Sequence, residues 1–285
     1  MNYEKAIQNI QTELKIYIQT HKLESLILGV SGGMDSALVA ALARPVCDEL
    51  RIKLVGRSLP ISTNKPDELE RANAIGKAFC HDYEEVSLAK YYNELAEINP
   101  DPGFDTKAWQ IRNGNIKARI RMIFLYNLAS THRGIVLSTD NYTEYLLGFW
   151  TLHGDVGDYG MIQELWKTEV YDMGEFMVRY GLRTEKERSA LKSCILCNAT
   201  DGLGITNSDL DQLMPGWTGS SREGYKAVDS VLKVWTTLHR LESTQKTLIA
   251  QAYENNPVVE RHLRTEFKRQ NPLNIKRGVI LKNAE

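Results

Sequence analysis

The apolar positions of this chain follow two periods, one typical of helices and one typical of strands. An apolar stripe at helical spacing over residues 2–22 predicts an amphipathic N-terminal helix, residues 1–22. Later segments alternate between the two patterns. Apolar runs with β-branched residues predict strands at 26–30, 52–60, 83–88 and 134–140, and helical patterns predict helices from the end of the first run to about Leu50 and at 66–80, 115–130 and 166–182.

Strands that alternate with helices imply βαβ units. We therefore expect an α/β fold with a doubly wound parallel sheet, whose ligand site lies at the carboxyl ends of the strands. Residues 90–112 lack a clear period and contain prolines and a glycine, which predicts a loop that covers a site. From about residue 184 only helices and polar turns are indicated. We expect one domain over 1–285, with a mainly helical C-terminal portion at 184–285 that returns to the site.

The segment LILGVSGGMDS, Leu26–Ser36, stands between the first predicted strand and the helix that follows it. Gly32 and Gly33 allow main-chain N–H groups to approach a phosphate at the positive end of that helix, and two serine hydroxyls add donors. The segment lacks the spacing and the lysine of a Walker A loop. The alternative is an ordinary turn between a strand and a helix.

The six residues SGGMDS resemble the pyrophosphate-binding loop of the N-type ATP pyrophosphatases, which split ATP between its α and β phosphates. This resemblance implies that Asp35 holds Mg²⁺ against the leaving pyrophosphate.

The charge and composition of the chain restrict the classes of binding partner that we expect for it. The chain has 35 basic and 36 acidic residues, a net charge of -1, so nothing global indicates binding to nucleic acid or to an anionic membrane. No apolar stretch approaches the roughly 18 residues of a membrane span, and the N-terminus has no apolar signal core. Four cysteines in 285 residues do not form a disulfide framework. We therefore expect a cytoplasmic protein.

A polar cluster follows the fourth predicted strand, and its members are Ser138, Thr139, Asp140, Glu144, Asp155 and Asp158. We call the turn at residues 31–36 the phosphate loop. Several carboxylates beside this loop would repel ATP unless a hard cation lies between them, which favours Mg²⁺. The alternative for the last two acids is a solvated turn. Lys167 begins the next helix, where it could neutralise phosphate charge, although a single lysine is also compatible with simple solvation.

Three cations lie near the predicted start of the helix at 115–130: Lys117, Arg119 and Arg121. Positive charge at a helix start is unfavourable for the helix dipole, so the arrangement favours an anionic partner. A solvent-exposed helix face is the alternative.

Several segments together resemble one family, the ammonia-dependent NAD synthetases. They occur in the family's order over most of residues 26–272, and they are LGVSGGMDSALVAALA, GRSLP, GNIKARIRM, LSTDNYTEYLLGFWTLHGD with its following GD, LWKTEVYDMG, GLGITNSDLD and TEFKRQNP. The resemblance implies a Rossmann-like fold of the adenine nucleotide α-hydrolase type. It also implies a homodimer with the dinucleotide site at the subunit interface.

The implied reaction is the amidation of deamido-NAD with ammonia and ATP through an adenylated intermediate, releasing AMP and pyrophosphate. The ATP-binding residues implied by the resemblance are Gly29, Val30, Ser31, Gly32, Gly33, Met34, Asp35, Ser36, Arg57, Leu59, Thr139 and Lys167, with Asp35 and Lys167 as the catalytic pair. The implied Mg²⁺ ligands are Asp35, Glu144 and Asp155. The implied deamido-NAD contacts are Arg119, Asp158 and Lys268. The sequence contains no glutaminase region, so we expect ammonia from solution or from a partner chain.

The sequence departs from the family pattern on the acceptor side. Leu152 and Phe267 stand where the family usually has a lysine and a histidine that touch the dinucleotide, and His153 could replace the missing cation. The family also has a small hydroxyl residue in its ATP site, in a segment that does not align cleanly with this chain. Ser193 or Thr200 could be its counterpart here.

A pair of cysteines supports a rival hypothesis. Cys194 and Cys197 form C-x-x-C, and some related pyrophosphatases use paired cysteines to thiolate tRNA. Only Cys47 and Cys80 remain as further zinc ligands, each in a helical pattern where a buried thiol is expected. The net charge does not supply the basic surface that tRNA binding requires. A nucleotide-binding module without catalysis is the other alternative.

Overall fold

A computed structural model of the chain describes residues 1–62, 64–98, 106–197, 208–240 and 242–280. Five parallel strands form one sheet in the order β3-β2-β1-β4-β5. Their bounds are β1 Ser25–Gly29, β2 Lys53–Ser58, β3 Asp82–Glu85, β4 Gly134–Ser138 and β5 Tyr159–Gly160. The doubly wound parallel sheet and its first four strands are thus confirmed. The fifth strand was not predicted, because two residues are too few to show a period.

Helices cover both faces of this sheet. Their bounds are α1 Tyr3–His21, α2 Met34–Leu50, α3 Pro66–Phe79, α4 Ala89–Ile98, α5 Thr106–Thr131, α6 Tyr142–Leu147, α7 Lys167–Phe176, α8 Glu185–Ile195, α9 Ser221–Thr237, α10 Ser243–Ala252, α11 Pro257–Arg264, α12 Glu266–Arg269 and α13 Arg277–Ile280. Short 3-10 turns occur at Asp209–Gln212 and Leu238–Arg240, and a π-helical turn at Met177–Gly181 extends α7.

Alternating strand residues supply two separate cores. Leu26 and Leu28 of β1 point to one face, where they join a cluster built by α1, α2, α3, α7, α8 and α9. Ile27, between them, points to the other face and packs with α5 residues such as Leu125. This alternation follows from the two-residue period of a strand, and it makes the sheet apolar on both faces.

The predicted loop at 90–112 is wrong over its described part. Helix α4 ends at Ile98, residues 99–105 lie outside the described residues, and α5 begins at Thr106, nine residues before its predicted start. The predicted start failed because the first turns of α5 carry few buried apolar side chains. The consequence is that the three cations of α5 lie in its middle, so the argument from the helix dipole does not apply to them.

The glycine-rich segment at 140–165 contains a short helix that the sequence analysis did not predict. The Asn141 side chain caps α6 by accepting from the Glu144 N–H at 3.0 Å, and Gly148 ends it with a left-handed φ of 64°. The described part of the C-terminal portion is helical, as expected. Its helices α11 and α12 pack against α6, and α9 packs against α7. Among the described helices, none is long and apolar enough to cross a lipid bilayer.

Candidate active site

A cavity opens at the carboxyl ends of β1, β2 and β4, where a doubly wound sheet binds its ligands. Its wall contains all the predicted ATP-binding residues except Ser36, and these are Gly29, Val30, Ser31, Gly32, Gly33, Met34, Asp35, Arg57, Leu59, Thr139 and Lys167. The predicted metal ligands Glu144 and Asp155 also line it. The cavity therefore gathers the ATP half of the predicted site from four distant parts of the chain.

The turn after β1 is fixed by close packing and by its own serines. Gly32 has φ +80°, and a Cβ atom there would lie 2.3 Å from the Glu68 carbonyl oxygen of α3, so only glycine fits. The Ser31 and Ser36 hydroxyls lie 3.0 Å apart, and the Ser36 hydroxyl donates to the Gly33 carbonyl at 3.2 Å. Ser36 is buried and braces the turn rather than lining the cavity.

Lys167 lies at the centre of the acidic side of the cavity. Its ammonium donates to Asp35 and, at 2.8 Å, to Glu144, and its side chain is only 3% exposed. Asn141 donates to the other Asp35 oxygen at 2.9 Å. These contacts join the start of α2 to α6 and α7. The alternative of a simply solvated lysine is therefore wrong.

A buried network sets the start of α7, which carries Lys167. The Lys167 N–H donates to the Thr143 hydroxyl at 2.9 Å, and that hydroxyl donates to Asp229 of α9 at 2.6 Å. The Thr168 N–H donates to the second Asp229 oxygen at 3.0 Å. The C-terminal portion thus reaches the site through Asp229, which satisfies N–H groups that the first turn of a helix leaves free.

Burial and neighbouring charge both shift the pKa values of this cluster, in opposite directions for Lys167 and in the same direction for Glu144. Burial lowers the pKa of Lys167, but Asp35 and Glu144 outweigh it and hold that pKa well above its ordinary value. Burial and the Asp35 charge raise the pKa of Glu144 above its usual range. The ammonium therefore stays charged, between two carboxyl groups at the mouth of the phosphate loop.

The donor set at this position suits magnesium, which takes carboxylate oxygens together with phosphate oxygens and water. Asp35 and Glu144 share one cation and face the cavity. Within the described ranges, no three His, Cys, Asp or Glu side chains are grouped to hold a metal ion without such further ligands. The metal roles of Asp35, Glu144 and Asp155 accordingly stay predictions.

Two further acids lie beside this cluster. Asp140, which was not among the predicted site residues of the family, lines the cavity and accepts from the Ser138 hydroxyl at 2.7 Å. Burial raises the pKa of Asp140 to about 6. Burial and then the Asp140 charge raise the pKa of Asp155 to about 7, although the Thr151 N–H donates to Asp155 at 2.8 Å. The alternative of a solvated turn does not hold for Asp155.

Two arginines of the cavity are held by protein groups. Arg57 donates to Asp82 at 2.9 Å and to the Gly56 carbonyl at 2.8 Å, which turns its guanidinium towards β3. Arg121 donates to the Leu59 carbonyl at 3.0 Å and to Asn64 at 3.1 Å, and burial lowers its pKa to about 10. The α5 cations thus differ in role, since Arg121 faces the cavity and Arg119 is exposed.

The predicted deamido-NAD contacts lie outside the cavity. Arg119 donates to the Leu152 carbonyl at 3.1 Å. Lys268 donates to the carbonyls of Gly148, at 2.7 Å, and of Trp150. Both cations therefore hold the loop that connects α6 to Asp155.

The third predicted contact, Asp158, is exposed and lies at the far end of the same loop. Its carboxylate accepts from the Val136 N–H of β4 at 2.9 Å. The roles of these three residues in binding the acceptor stay predictions.

The residues at the departures from the family pattern lie near this loop. Leu152 is half-buried, Phe267 is 61% exposed, and His153 adopts a left-handed φ of 54° with its ring 3.1 Å from the Asn271 amide. The Ser193 hydroxyl donates to the Ala190 carbonyl of its own helix at 2.7 Å. Thr200 lies outside the described residues.

The cysteine pair is placed against the phosphate loop but is not activated. The Cys194 thiol is fully buried and donates to the Gly32 carbonyl at 3.4 Å, and burial raises its pKa to about 12. Cys197 lines the cavity, and burial raises its pKa as well. Sulfur transfer requires an exposed thiolate with a lowered pKa, so this environment disfavours the thiolation hypothesis.

The parallel sheet, the SGGMDS turn and the acidic cluster with its central lysine define an α/β protein built to bind a nucleotide at the carboxyl edge. Residues 6–272 match the family model for NAD synthase, and the chain belongs to this family. The NH(3)-dependent NAD(+) synthetase of Mycoplasma genitalium is 32% identical over 231 residues, which cover 80% of this chain and 89% of that protein.

Two solved structures share the fold. NMN synthetase from Francisella tularensis has a TM-score of 0.72 at 22% identity and covers 97% of this chain and 99% of its own. The NH3-dependent NAD synthetase from Campylobacter jejuni, in complex with the nitrate ion, has a TM-score of 0.67 at 20% identity and covers 97% and 100%. The fold therefore agrees with the family over nearly the whole chain.

Proposed function

We propose that this chain is an ammonia-dependent NAD synthetase, a ligase that forms the C–N bond of the nicotinamide group. ATP adenylates the carboxylate of deamido-NAD, and ammonia then displaces AMP. The observation that carries this proposal is the single cavity in which the phosphate loop, Asp35, Glu144 and Lys167 meet, in a chain that matches the family model over residues 6–272.

In the first step a carboxylate oxygen of the acceptor attacks the α-phosphorus of ATP, and the bond to the bridging oxygen of the β-phosphate breaks. The main-chain N–H groups after β1 hold the phosphates at the start of α2. Lys167 stabilises the negative charge that grows on the leaving pyrophosphate. Asp35 and Glu144 would hold Mg²⁺, which supplies Lewis-acid stabilisation of phosphate charge when it is bound.

In the second step ammonia attacks the acyl carbon, and the bond to AMP breaks. Most ammonia is protonated at neutral pH, so one proton has to leave before attack, and a second proton leaves the nitrogen for water when the amide forms. We assign the acceptance of the first proton to Asp155, because its carboxyl lines the cavity and has a pKa that burial raises to about 7. No protein nucleophile takes part, and positioning contributes most of the remaining rate.

We further propose a homodimer in which a second copy completes the acceptor site. Arg119 and Asp158 lie outside the cavity, next to exposed apolar side chains of α5 and of the loop after α6, namely Ile123, Tyr126 and Val156. Tyr126 donates to the Val156 carbonyl at 3.3 Å, which makes these side chains one surface. A partner that covers this surface would enclose the dinucleotide between the two copies.

The remaining proposals concern organisation and location. We propose one NAD synthetase domain over 1–285, because α11 and α12 pack on the α6 segment that carries Glu144. Four free cysteines suit a reducing compartment, and we propose the cytoplasm.

The test is an assay with ATP, Mg²⁺, ammonium and deamido-NAD that follows NAD, AMP and pyrophosphate together. Equal amounts of the three products, with no NAD when ammonium is left out, are expected. Absence of all three while ATP still binds would contradict the acceptor. A parallel assay uses the mononucleotide half of deamido-NAD that carries the carboxylate, and it tests the departures at Leu152 and Phe267. A preference for this mononucleotide would contradict deamido-NAD as the acceptor.

A further inference from the structure

Arg71 is a cation of the cavity wall that the family resemblance does not assign. It lies on α3 and lines the cavity beside Gly32, Gly33 and Cys197. Its Nε donates to the Gly32 carbonyl at 3.0 Å, and its Nη1 donates to Asp67 at 2.7 Å. Two bonds in different directions fix the plane of the guanidinium against the phosphate loop.

Within the part of the chain that the structure describes, Arg71 donates hydrogen bonds through Nε and Nη1 only, and its third nitrogen, Nη2, has no acceptor. Asp67 lies one helical turn earlier and is 63% exposed, whereas the Arg71 side chain is 15% exposed. An exposed carboxylate is screened by water, so it neutralises the arginine only in part.

Arg71 and Lys167 differ in how far neighbouring acids neutralise their charge. The Lys167 ammonium is buried between Asp35 and Glu144, and two acids share its charge. The SGGMDS turn also lacks the lysine with which a Walker A loop reaches the outer phosphates of ATP. Because Lys167 shares its charge with two acids, a second cation beside the turn would add to the stabilisation that Lys167 gives the outer phosphates.

We propose that Arg71 binds the β- and γ-phosphates of ATP and keeps hold of them as pyrophosphate when AMP is transferred. This inference rests on the proposed function, since it names a binding residue for the same ATP. The close packing of α3 against the turn supports this inference. A Cβ atom added to Gly32 would lie only 2.3 Å from the Glu68 carbonyl oxygen and 3.0 Å from the Ala72 nitrogen. Helix α3 thus holds Arg71 directly against the turn after β1.

The competing explanation is that Arg71 only braces Gly32. A brace acts on every ligand of the turn, whereas a contact to the outer phosphates acts only on ligands that have them. Titration calorimetry of the wild type and of Arg71→Gln with Mg-ATP, Mg-pyrophosphate and AMP separates the two. We expect the Kd for ATP and for pyrophosphate to rise about tenfold or more, and the Kd for AMP to change less than about twofold.

The matched control is Lys77→Gln, which removes one positive charge from the same helix at an exposed position outside the cavity. It should leave all three affinities unchanged. Arg71→Lys keeps the charge without the fork, and it should recover part of the pyrophosphate affinity even if Arg71→Gln folds poorly. An equal loss of AMP affinity, or no loss for pyrophosphate in either variant, would overturn the inference.

The two proposals fail in different ways. The proposed function is tested on the wild type, by the formation of NAD. Wild type that forms NAD, with an Arg71→Gln variant that binds pyrophosphate normally, would overturn the inference alone. If the wild type forms no NAD but the variant loses pyrophosphate affinity, deamido-NAD is wrong as the acceptor and the inference about Arg71 stands.

Discussion

Asp35 is the residue on which the contacts of the cavity converge. One of its oxygens accepts from Lys167 and the other accepts from Asn141, which lie on different elements. Asp35 itself lies in the first turn of α2, directly after the phosphate loop. Because three elements fix this carboxylate, its position is set before any ligand arrives, which is the condition for electrostatic catalysis.

Replacing Asp35 by asparagine keeps the shape of the side chain and removes its charge. We expect Asp35→Asn to lower kcat/KM for NAD formation by about 100-fold or more, because the proposed magnesium ligand is lost and Lys167 is left with Glu144 alone. Pyrophosphate release measures the effect. Asp48→Asn, at the exposed end of the same helix, is the control, and an unchanged unfolding temperature verifies the fold. Full activity of Asp35→Asn would contradict the metal assignment.

Asp155 makes the folded protein sensitive to pH. Its pKa is about 7 in the folded state and about 3.9 in an unfolded chain. The folded state therefore binds this proton more tightly, and the free energy of unfolding falls as the pH rises from about 4 to about 7. The shift corresponds to at most about 4 kcal/mol, at about 1.4 kcal/mol for each pKa unit.

Asp155→Asn removes this ionisation and keeps an oxygen that can accept from the Thr151 N–H. We expect the variant to unfold at a higher temperature than the wild type at pH 8, and at a similar temperature at pH 4, both measured with a chelator and without ATP. Its NAD formation should fall, because the proton acceptor is gone. A stability difference of the same size at both pH values would show that burial of the carboxylate is not its cause.

At the scale of elements, the C-terminal helices act on the end of α6. Arg261 and Arg269 donate to the carbonyls of Leu147 and Leu146, at 2.9 and 2.7 Å, and Lys268 donates to the carbonyls that follow. Free carbonyls and the negative end of the helix dipole attract cations there. The C-terminal segment thereby holds the loop that leads to Asp155.

Lys268→Met tests this coupling, because methionine keeps an unbranched apolar side chain and removes the two donated bonds together with the cation–π contact to Trp150. We expect the KM for deamido-NAD to rise several-fold and the KM for ATP to change less than about twofold, since the phosphate loop lies on another element. Steady-state kinetics with each substrate varied in turn gives both values. Lys276→Met, at an exposed position of the same segment, serves as the control. A parallel rise of both KM values would mean that the whole site has loosened.

Elements with a strict apolar period were predicted from the sequence to within a few residues, as α1, α2 and the first four strands show. Each of these buries one defined stripe or face, so the pattern carries the information. The predicted start of α5 was wrong, and α6 and β5 were not predicted because they are too short to show a period. Capping could have found α6, because Asn141 and Glu144 have the spacing of a helix start.

The candidate site divides in the same way. The phosphate loop and the carboxylates after β4 follow strands directly, so the rule for parallel sheets places them at one edge. Arg71, Asn141 and Arg121 could not be placed from the sequence, because each takes its role from a partner on an element distant in the chain. The C-terminal cations likewise depend on how α12 packs on α6.

At the scale of the whole molecule, the cavity and the predicted acceptor contacts lie apart. The predicted ATP-binding residues line the cavity, whereas Arg119 and Asp158 lie on the outer surface formed by α5 and the loop after α6. The same surface exposes 69% of Ile123 and 39% of Tyr126. Apolar side chains beside predicted binding residues favour burial by a second subunit.

Ile123→Glu places a charge at the most exposed apolar position of this surface. For the wild type we expect twice the 32.4 kDa chain mass in solution, and for the variant a shift to the mass of one chain at the same concentration, because the two-fold contact would bury both charges. Sedimentation equilibrium measures the masses. Ile16→Glu, on the exposed side of α1, is the control that should stay dimeric. The monomeric variant should still bind ATP, since the cavity belongs to one chain, and should lose affinity for deamido-NAD. A monomeric wild type that is fully active would remove the partner from the acceptor site.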